Sequence, residues 1–110
     1  MQSTKNLKFN SKLVPLILSG RKTSTWRLFD DKNLSEGDRI NLKEFGAEDG
    51  FAKAVVKKVV VKRFDELTKD DRLGHESYAS DDDMYKTYSD YYKTPVGPKT
   101  AVKIIWFELY

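Results

Sequence analysis

The sequence predicts a small α+β domain, a compact mixed β-barrel of four or five strands flanked by two or three helices. Three observations point there. Several stretches alternate apolar and polar residues with a period of two, and the longest, 51–64, is long enough to curl as a small barrel requires. Only two or three segments carry helical spacing, too few for a doubly wound sheet. The chain has 110 residues, one domain's worth, so it reads as a single domain over 1–110. At that size folding buries roughly 65% of the unfolded chain's surface, enough for one core without staples.

The elements follow in order. Leu7 and Phe9 alternate with Lys8 and Asn10 and predict a short first strand. Ser11 is a candidate cap for a helix over 12–19, whose apolar set is Leu13, Leu16 and Ile17. Pro15 then falls in the first turn, where its missing N–H costs little, and Gly20 is the stop. Residues 22–28 suit a strand, with Thr23, Thr25 and Arg27 on one face and Lys22, Ser24 and Trp26 on the other. Residues 30–37 are a polar turn region. Arg39 to Phe45 alternates again, with Ile40, Leu42 and Glu44 on one side. Glu48-Asp49-Gly50 predicts the turn into the long strand. Both faces of that strand change character along its length, which predicts a bulge near Lys57-Lys58.

A short helix is expected within 64–73, with Asp65 near its start and Leu67 facing inward. Ser80 followed by Asp81, Asp82 and Asp83 predicts a second cap, because the helix dipole favours acids in the first turn. Met84, Tyr88 and Tyr91 recur at helical spacing, widened by Tyr85 and Tyr92. The run from Thr94 to Pro98 ends this helix. Thr100 to Leu109 is the last strand, apolar on both faces and so covered on both.

Composition excludes several chemistries. There is no cysteine and one histidine, which removes disulfides, thiolate nucleophiles, cysteine-ligated zinc and a His-rich metal site. The consecutive acids Asp81 to Asp83 scatter around a helix axis and do not converge on a metal. No metal and no cofactor are implied. No apolar run approaches the ~20 residues that cross a bilayer. Lys5, Lys8 and Lys12 interrupt any secretory h-region, so no membrane association and a cytoplasmic location are expected.

The net charge of +3 is unevenly spread. Residues 1–63 hold 14 Lys/Arg and 7 Asp/Glu, whereas 64–92 hold 3 and 9. A basic face beside an acidic one suits a nucleic-acid or nucleotide ligand, and equally an ordinary solvated surface.

The informative stretch is Leu16-Ile17-Leu18-Ser19-Gly20-Arg21-Lys22-Thr23-Ser24-Thr25-Trp26-Arg27. It resembles the signature of the ASCH domain, a branch of the PUA-like barrels, in which a helix ends in Gly-Arg/Lys-Lys-Thr and leads into a strand ending in Arg. The Glu36-Gly37-Asp38 turn, the strand over 57–64, the Gly74-His75-Glu76 cluster and the aromatic last strand extend the resemblance over about residues 5–110. It implies a PUA-like mixed β-barrel of about five strands, with a cleft between barrel and helices. It also implies an RNA or small nucleoside ligand, while leaving protein partners unknown. One small single-domain branch is described as an amidohydrolase that releases acetate and cytidine from N4-acetylcytidine. Its reactive lysine, threonine and glutamate match Lys22, Thr25 and Glu76. Arg21 and Arg27 match the other basic positions, and with Thr23, Trp26, His75 and Tyr78 they complete the candidate ligand-binding set. Trp26 stands where the family often has a smaller apolar residue.

Amide hydrolysis needs an attacking oxygen, a base and donors for the developing oxyanion. Thr25 can supply the oxygen. Lys22 can be the base if desolvation or a neighbouring cation, Arg21 or Arg27, deprotonates it, and otherwise can stabilise the oxyanion. Glu76 can carry a proton to the leaving amine or act through water. Three residues' separation puts Lys22 and Thr25 on opposite faces of an ideal strand, unless the chain turns at Lys22-Thr23. Each residue also has a plain reading: a surface lysine at a helix exit, a strand threonine, an exposed glutamate, an Arg27 paired with Asp30, a structural His75. Trp26 and Trp106 fit a core, and two or three of Tyr78, Tyr85, Tyr88, Tyr91 and Tyr92 should bury while the others can stack on a base. The run Asp81 to Asp83 repels phosphate, which favours a nucleoside over an RNA backbone on that face.

Overall fold

The computed structural model describes residues 4–28 and 32–110. Five strands form one mixed sheet in the order β1-β3-β4-β5-β2. They are β1 (Lys5–Phe9), β2 (Ser24–Arg27), β3 (Arg39–Glu44), β4 (Gly50–Arg63) and β5 (Ala101–Leu109). β1 runs parallel to β3, with Leu7 opposite Leu42, and the remaining pairs are antiparallel. The sheet curls into a half-barrel. No ladder joins the edge strands β1 and β2 among the described residues. A side chain spans them instead: Arg27 Nη2 donates to the Lys8 carbonyl at 3.1 Å.

The expected bulge lies where β4 meets β5, as the register shifts between Val56 and Lys58. There two consecutive residues stop alternating, which lets the strand bend and serve both β3 and β5. β5 is covered on both faces. Val102 and Ile104 join Trp26, Phe64, Met84 and Tyr88 in one core. Ile105 and Phe107 join Leu7, Phe9, Ile17, Ile40 and Leu42 in the other. The period-two geometry of a strand sends alternate residues to these two cores.

Three helices flank the sheet: α1 (Val14–Leu18), α2 (Lys69–Arg72) and α3 (Asp81–Tyr92). The first departs from expectation at its start. Ser11–Leu13 is a 3-10 turn, and its cap is Asn10, not Ser11, whose side chain accepts from the Lys12 N–H at 3.0 Å. Pro15 has no N–H to bond back to Ser11, so a regular α-helix cannot begin there. The region 64–73 divides into a 3-10 turn, Phe64–Glu66, and α2, with Leu67 extended between them. Thr68 forms a reciprocal capping box with Asp71, which fixes a fresh start after Leu67. α3 begins as expected, with Ser80 Oγ accepting from the Asp83 N–H at 3.1 Å. Its inward face is narrower than the spacing predicted: Met84 and Tyr88 are buried, but Tyr91 is 56% exposed. No helix among the described residues is long and apolar enough to cross a membrane. The predicted turn at 30–37 and the Arg27–Asp30 pairing fall partly outside the described residues.

Candidate active site

Lys22 stands at the exit of α1 rather than in a strand. Gly20 takes φ +82°, and the Arg21 and Lys22 N–H groups both return to the Leu16 carbonyl. The chain therefore leaves the helix on a tight bend and enters β2 only at Ser24. This bend removes the opposite-face objection: Lys22 and Thr25 both line one hollow.

Gly74 brings the second half of the site. Its carbonyl accepts from the Thr23 N–H at 2.8 Å and the Ser24 N–H at 3.2 Å. That docks the loop after α2 onto the start of β2, and Glu76 arrives beside Lys22. Lys22 Nζ lies 2.7 Å from Glu76 Oε2 and also donates to the Ser24 carbonyl at 2.7 Å. The lysine is almost wholly buried, 3% exposed, while the carboxylate is 28% exposed. Burial pushes the Lys22 pKa down, opposed by the Glu76 carboxylate and helped by the Arg27 guanidinium. Burial works against the charge on Glu76, yet its pKa falls below the usual carboxylate value because neighbouring cations favour ionisation. Near neutral pH the cation is Lys22, since His75 is uncharged there.

His75 has a buried side chain that also lines the hollow, lying flat on Trp26 with ring centroids 3.8 Å and planes 11° apart. Burial, then the Lys22 charge, lowers its pKa to about 4. Its Nδ1 sits 3.0 Å from the Glu76 carbonyl, an acceptor, so the neutral ring carries its proton on Nδ1. Nε2 is then an acceptor for Tyr88 OH at 3.5 Å, and Tyr88 OH in turn accepts from Tyr78 OH at 3.3 Å. Every bond in this chain points the same way, ending on the Glu76 backbone. His75 Nε2 and Glu76 Oε1, 3.6 Å apart, are both acceptors in this state and do not form an ion pair.

The hollow has a volume of about 340 Å³ and opens between β1, the 3-10 turn Ser11–Leu13, β2 and α3. Thr25, Trp26 and Arg27 border it from the sheet edge, and Glu76, His75 and Tyr78 from the loop. Arg27 Nε donates to Thr25 Oγ1 at 3.4 Å, and its guanidinium lies over the Phe9 ring at 5.3 Å. Two predicted ligand residues stand apart. Arg21 and Thr23 are exposed and do not line the hollow, because the bend turns both outward. Trp26 is a wall and not a free stacking platform: it is buried in the α3 core, and its indole N–H has no acceptor among the described residues. Trp106 is half-buried against the same core, with Lys58 Nζ 5.1 Å from its ring centroid.

Sequence reasoning missed Lys8, Lys12 and Phe45 as lining residues. β1, the 3-10 turn after it and the end of β3 bring them together only in three dimensions. The acids Asp81 to Asp83 do not line the hollow, which uses the other end of α3.

No family model and no curated protein matches the chain. Solved structures do. A protein from Enterococcus faecalis V583 superposes with a TM-score of 0.79 at 14% identity, over 99% of this chain and 81% of that one. The hypothetical protein PH0355 gives 0.75 at 26% identity, over 98% and 100%. The ASCH domain from Lactobacillus crispatus JV V101 gives 0.73 at 11% identity, over 97% and 79%. The chain thus shares the fold of these structures, an ASCH domain among them.

Proposed function

We propose that the chain is an RNA- or nucleoside-related ASCH domain, and that its pocket hydrolyses the N-acyl amide of N4-acetylcytidine to acetate and cytidine. The observation that carries this reading is the 2.7 Å contact between Lys22 Nζ and Glu76 Oε2, on a hollow that Thr25 also lines. A proton passed along that contact leaves a neutral amine on Lys22 and an acid on Glu76, the two groups that amide cleavage needs. Burial of Lys22 and the Arg27 cation both favour the neutral amine.

Lys22 takes the Thr25 hydroxyl proton as Oγ1 attacks the acetyl carbon. Glu76 gives its proton to N4 as the C–N bond breaks and cytidine leaves. Glu76, now a carboxylate, takes a proton from water, and the hydroxide displaces Thr25 from the acetyl group. Lys22 returns the proton to Thr25 Oγ1, and acetic acid leaves. The Arg27 Nε–H beside Thr25 Oγ1 stabilises the alkoxide in both steps.

One observation favours a non-catalytic binding module: two of the three Lys22 N–H bonds are already spent on Glu76 and the Ser24 carbonyl, as in a purely structural ion pair. Incubating purified protein with N4-acetylcytidine separates the two. Cytidine release that disappears in Lys22→Ala, Thr25→Ala and Glu76→Ala supports hydrolysis. No release, with cytidine still bound, leaves the binding module.

A further inference from the structure

We propose that the pocket takes its ligand as a nucleoside monophosphate, with the phosphate held at the mouth by Lys8 and Lys12. This rests on the reading of the hollow as a nucleobase site and deepens it. The argument begins with the charges that line the hollow. Its acid among the described residues is Glu76, which Lys22 already neutralises. Three further cations line the same hollow: Lys8 and Lys12, both exposed, and the half-buried Arg27. None of the three has a carboxylate within ion-pair distance among the described residues, although eight other Lys and Arg side chains do. Among the described residues the mouth thus carries positive charge without a paired carboxylate around a concave site, which attracts an anion.

Position supports the same ligand. The polar centre, Lys22 and Glu76, lies on the buried side, whereas Lys8 and Lys12 are at the solvent side. Phe45 and Tyr91, both about half exposed, line the same hollow with ring centroids 6.5 Å apart. A base directed at Glu76 leaves its sugar near these rings and its phosphate near the cations. Arg27, with its Nη2 on the Lys8 carbonyl and its Nε on Thr25 Oγ1, stays with the reacting centre and adds its charge to the field of the mouth.

The acids of α3 do not oppose this. Asp82 and Tyr91 are nine residues apart on one helix, roughly 13 Å at 1.5 Å per residue. That exceeds the Debye length of about 8 Å at physiological salt, and the acids are exposed. The objection that Asp81 to Asp83 would repel phosphate therefore does not apply to this hollow. A volume of about 340 Å³ takes one nucleotide and leaves no room for a strand of them.

Isothermal titration of the full chain with cytidine, cytidine monophosphate, inorganic phosphate and a short single-stranded oligocytidine tests this. The monophosphate should bind about tenfold more tightly than cytidine at about 20 mM salt, and the ratio should shrink toward unity at about 500 mM. Lys8→Gln with Lys12→Gln should collapse the ratio, while Lys69→Gln on the distant, exposed α2 should leave it intact. Equal binding of cytidine and its monophosphate overturns this inference alone. Failure of both to bind overturns it together with the nucleobase reading. Tighter binding of the oligonucleotide than of the monophosphate, or binding of inorganic phosphate as tight as that of the monophosphate, also overturns it.

Discussion

The Gly74 carbonyl is shared by two consecutive amides, accepting from Thr23 at 2.8 Å and Ser24 at 3.2 Å. This one fork holds the Gly-His-Glu loop against the Gly-Arg-Lys-Thr corner. Gly74 itself has φ +77°, and a Cβ there would lie 2.0 Å from Thr23 Oγ1. Glycine is thus required twice, by conformation and by contact.

Gly74→Ala should cost about 2–3 kcal/mol, from the left-handed conformation and the clash together. Thr23→Ala alone should be nearly neutral, because the side chain is exposed. The double variant should recover the clash and retain about 1 kcal/mol of the conformational cost. Urea denaturation of the four proteins gives the cycle. Strict additivity would contradict the contact.

Much of this was legible in the sequence because it is written in local patterns. Period-two alternation located the strands, Ser80 with three acids located α3, and the apolar content of both faces of β5 predicted its two-sided burial. What was not legible depends on tertiary placement. The split at Leu67 reflects a contest between two local caps, which Thr68 wins by bonding both ways with Asp71. The convergence of Lys22 with Glu76 spans 54 residues, and only the resemblance, not spacing, proposed it. The basic side of the pocket mouth, from Lys8 and Lys12 to Phe45, has no sequence signal, since three separate segments supply it.

The Lys22–Glu76 pair is unequally buried, so its two halves should respond unequally to substitution. Glu76→Gln leaves a buried ammonium with the Ser24 carbonyl and a neutral amide, and should cost about 2–3 kcal/mol. Lys22→Met removes the more buried charge together with its desolvation cost, and leaves a carboxylate that water can reach. It should cost less, about 1 kcal/mol. Equal losses in urea would mean that burial does not govern the pair.

Stability should fall as pH drops from about 6.5 to about 4, before the carboxylates titrate. The His75 pKa is lower in the folded state, about 4 against 6.5. Within that window the unfolded chain binds more protons, so stability rises with pH and is lost on acidification. The full effect is about 3 kcal/mol for so buried a ring. Lowered pKa values at Asp38, Asp71 and Glu76 add losses only below the ordinary carboxylate range. His75→Phe keeps a flat ring on Trp26 and removes the titration. Its stability should be nearly constant between pH 6.5 and 5, where the parent's declines. A parent that is flat across that window would show that His75 does not stay neutral in the fold.

The two ends of α3 should divide stability from ligand binding. Met84 is completely buried with Trp26, Phe64 and Ile104, so Met84→Ala should cost about 2–4 kcal/mol through lost burial and a residual cavity. Tyr91 is 56% exposed and touches Phe45 across the hollow. Tyr91→Ala should change stability by no more than about 1 kcal/mol, the order of one exposed aromatic pair. If a base or sugar packs against those rings, the same substitution should weaken cytidine or cytidine monophosphate binding by about tenfold. Thermal melts and calorimetry on the two variants read both effects. A Tyr91→Ala protein that binds as the parent does would move the ligand away from the Phe45–Tyr91 mouth. A Met84→Ala protein that melts as the parent does would mean that α3 is not held by its buried face.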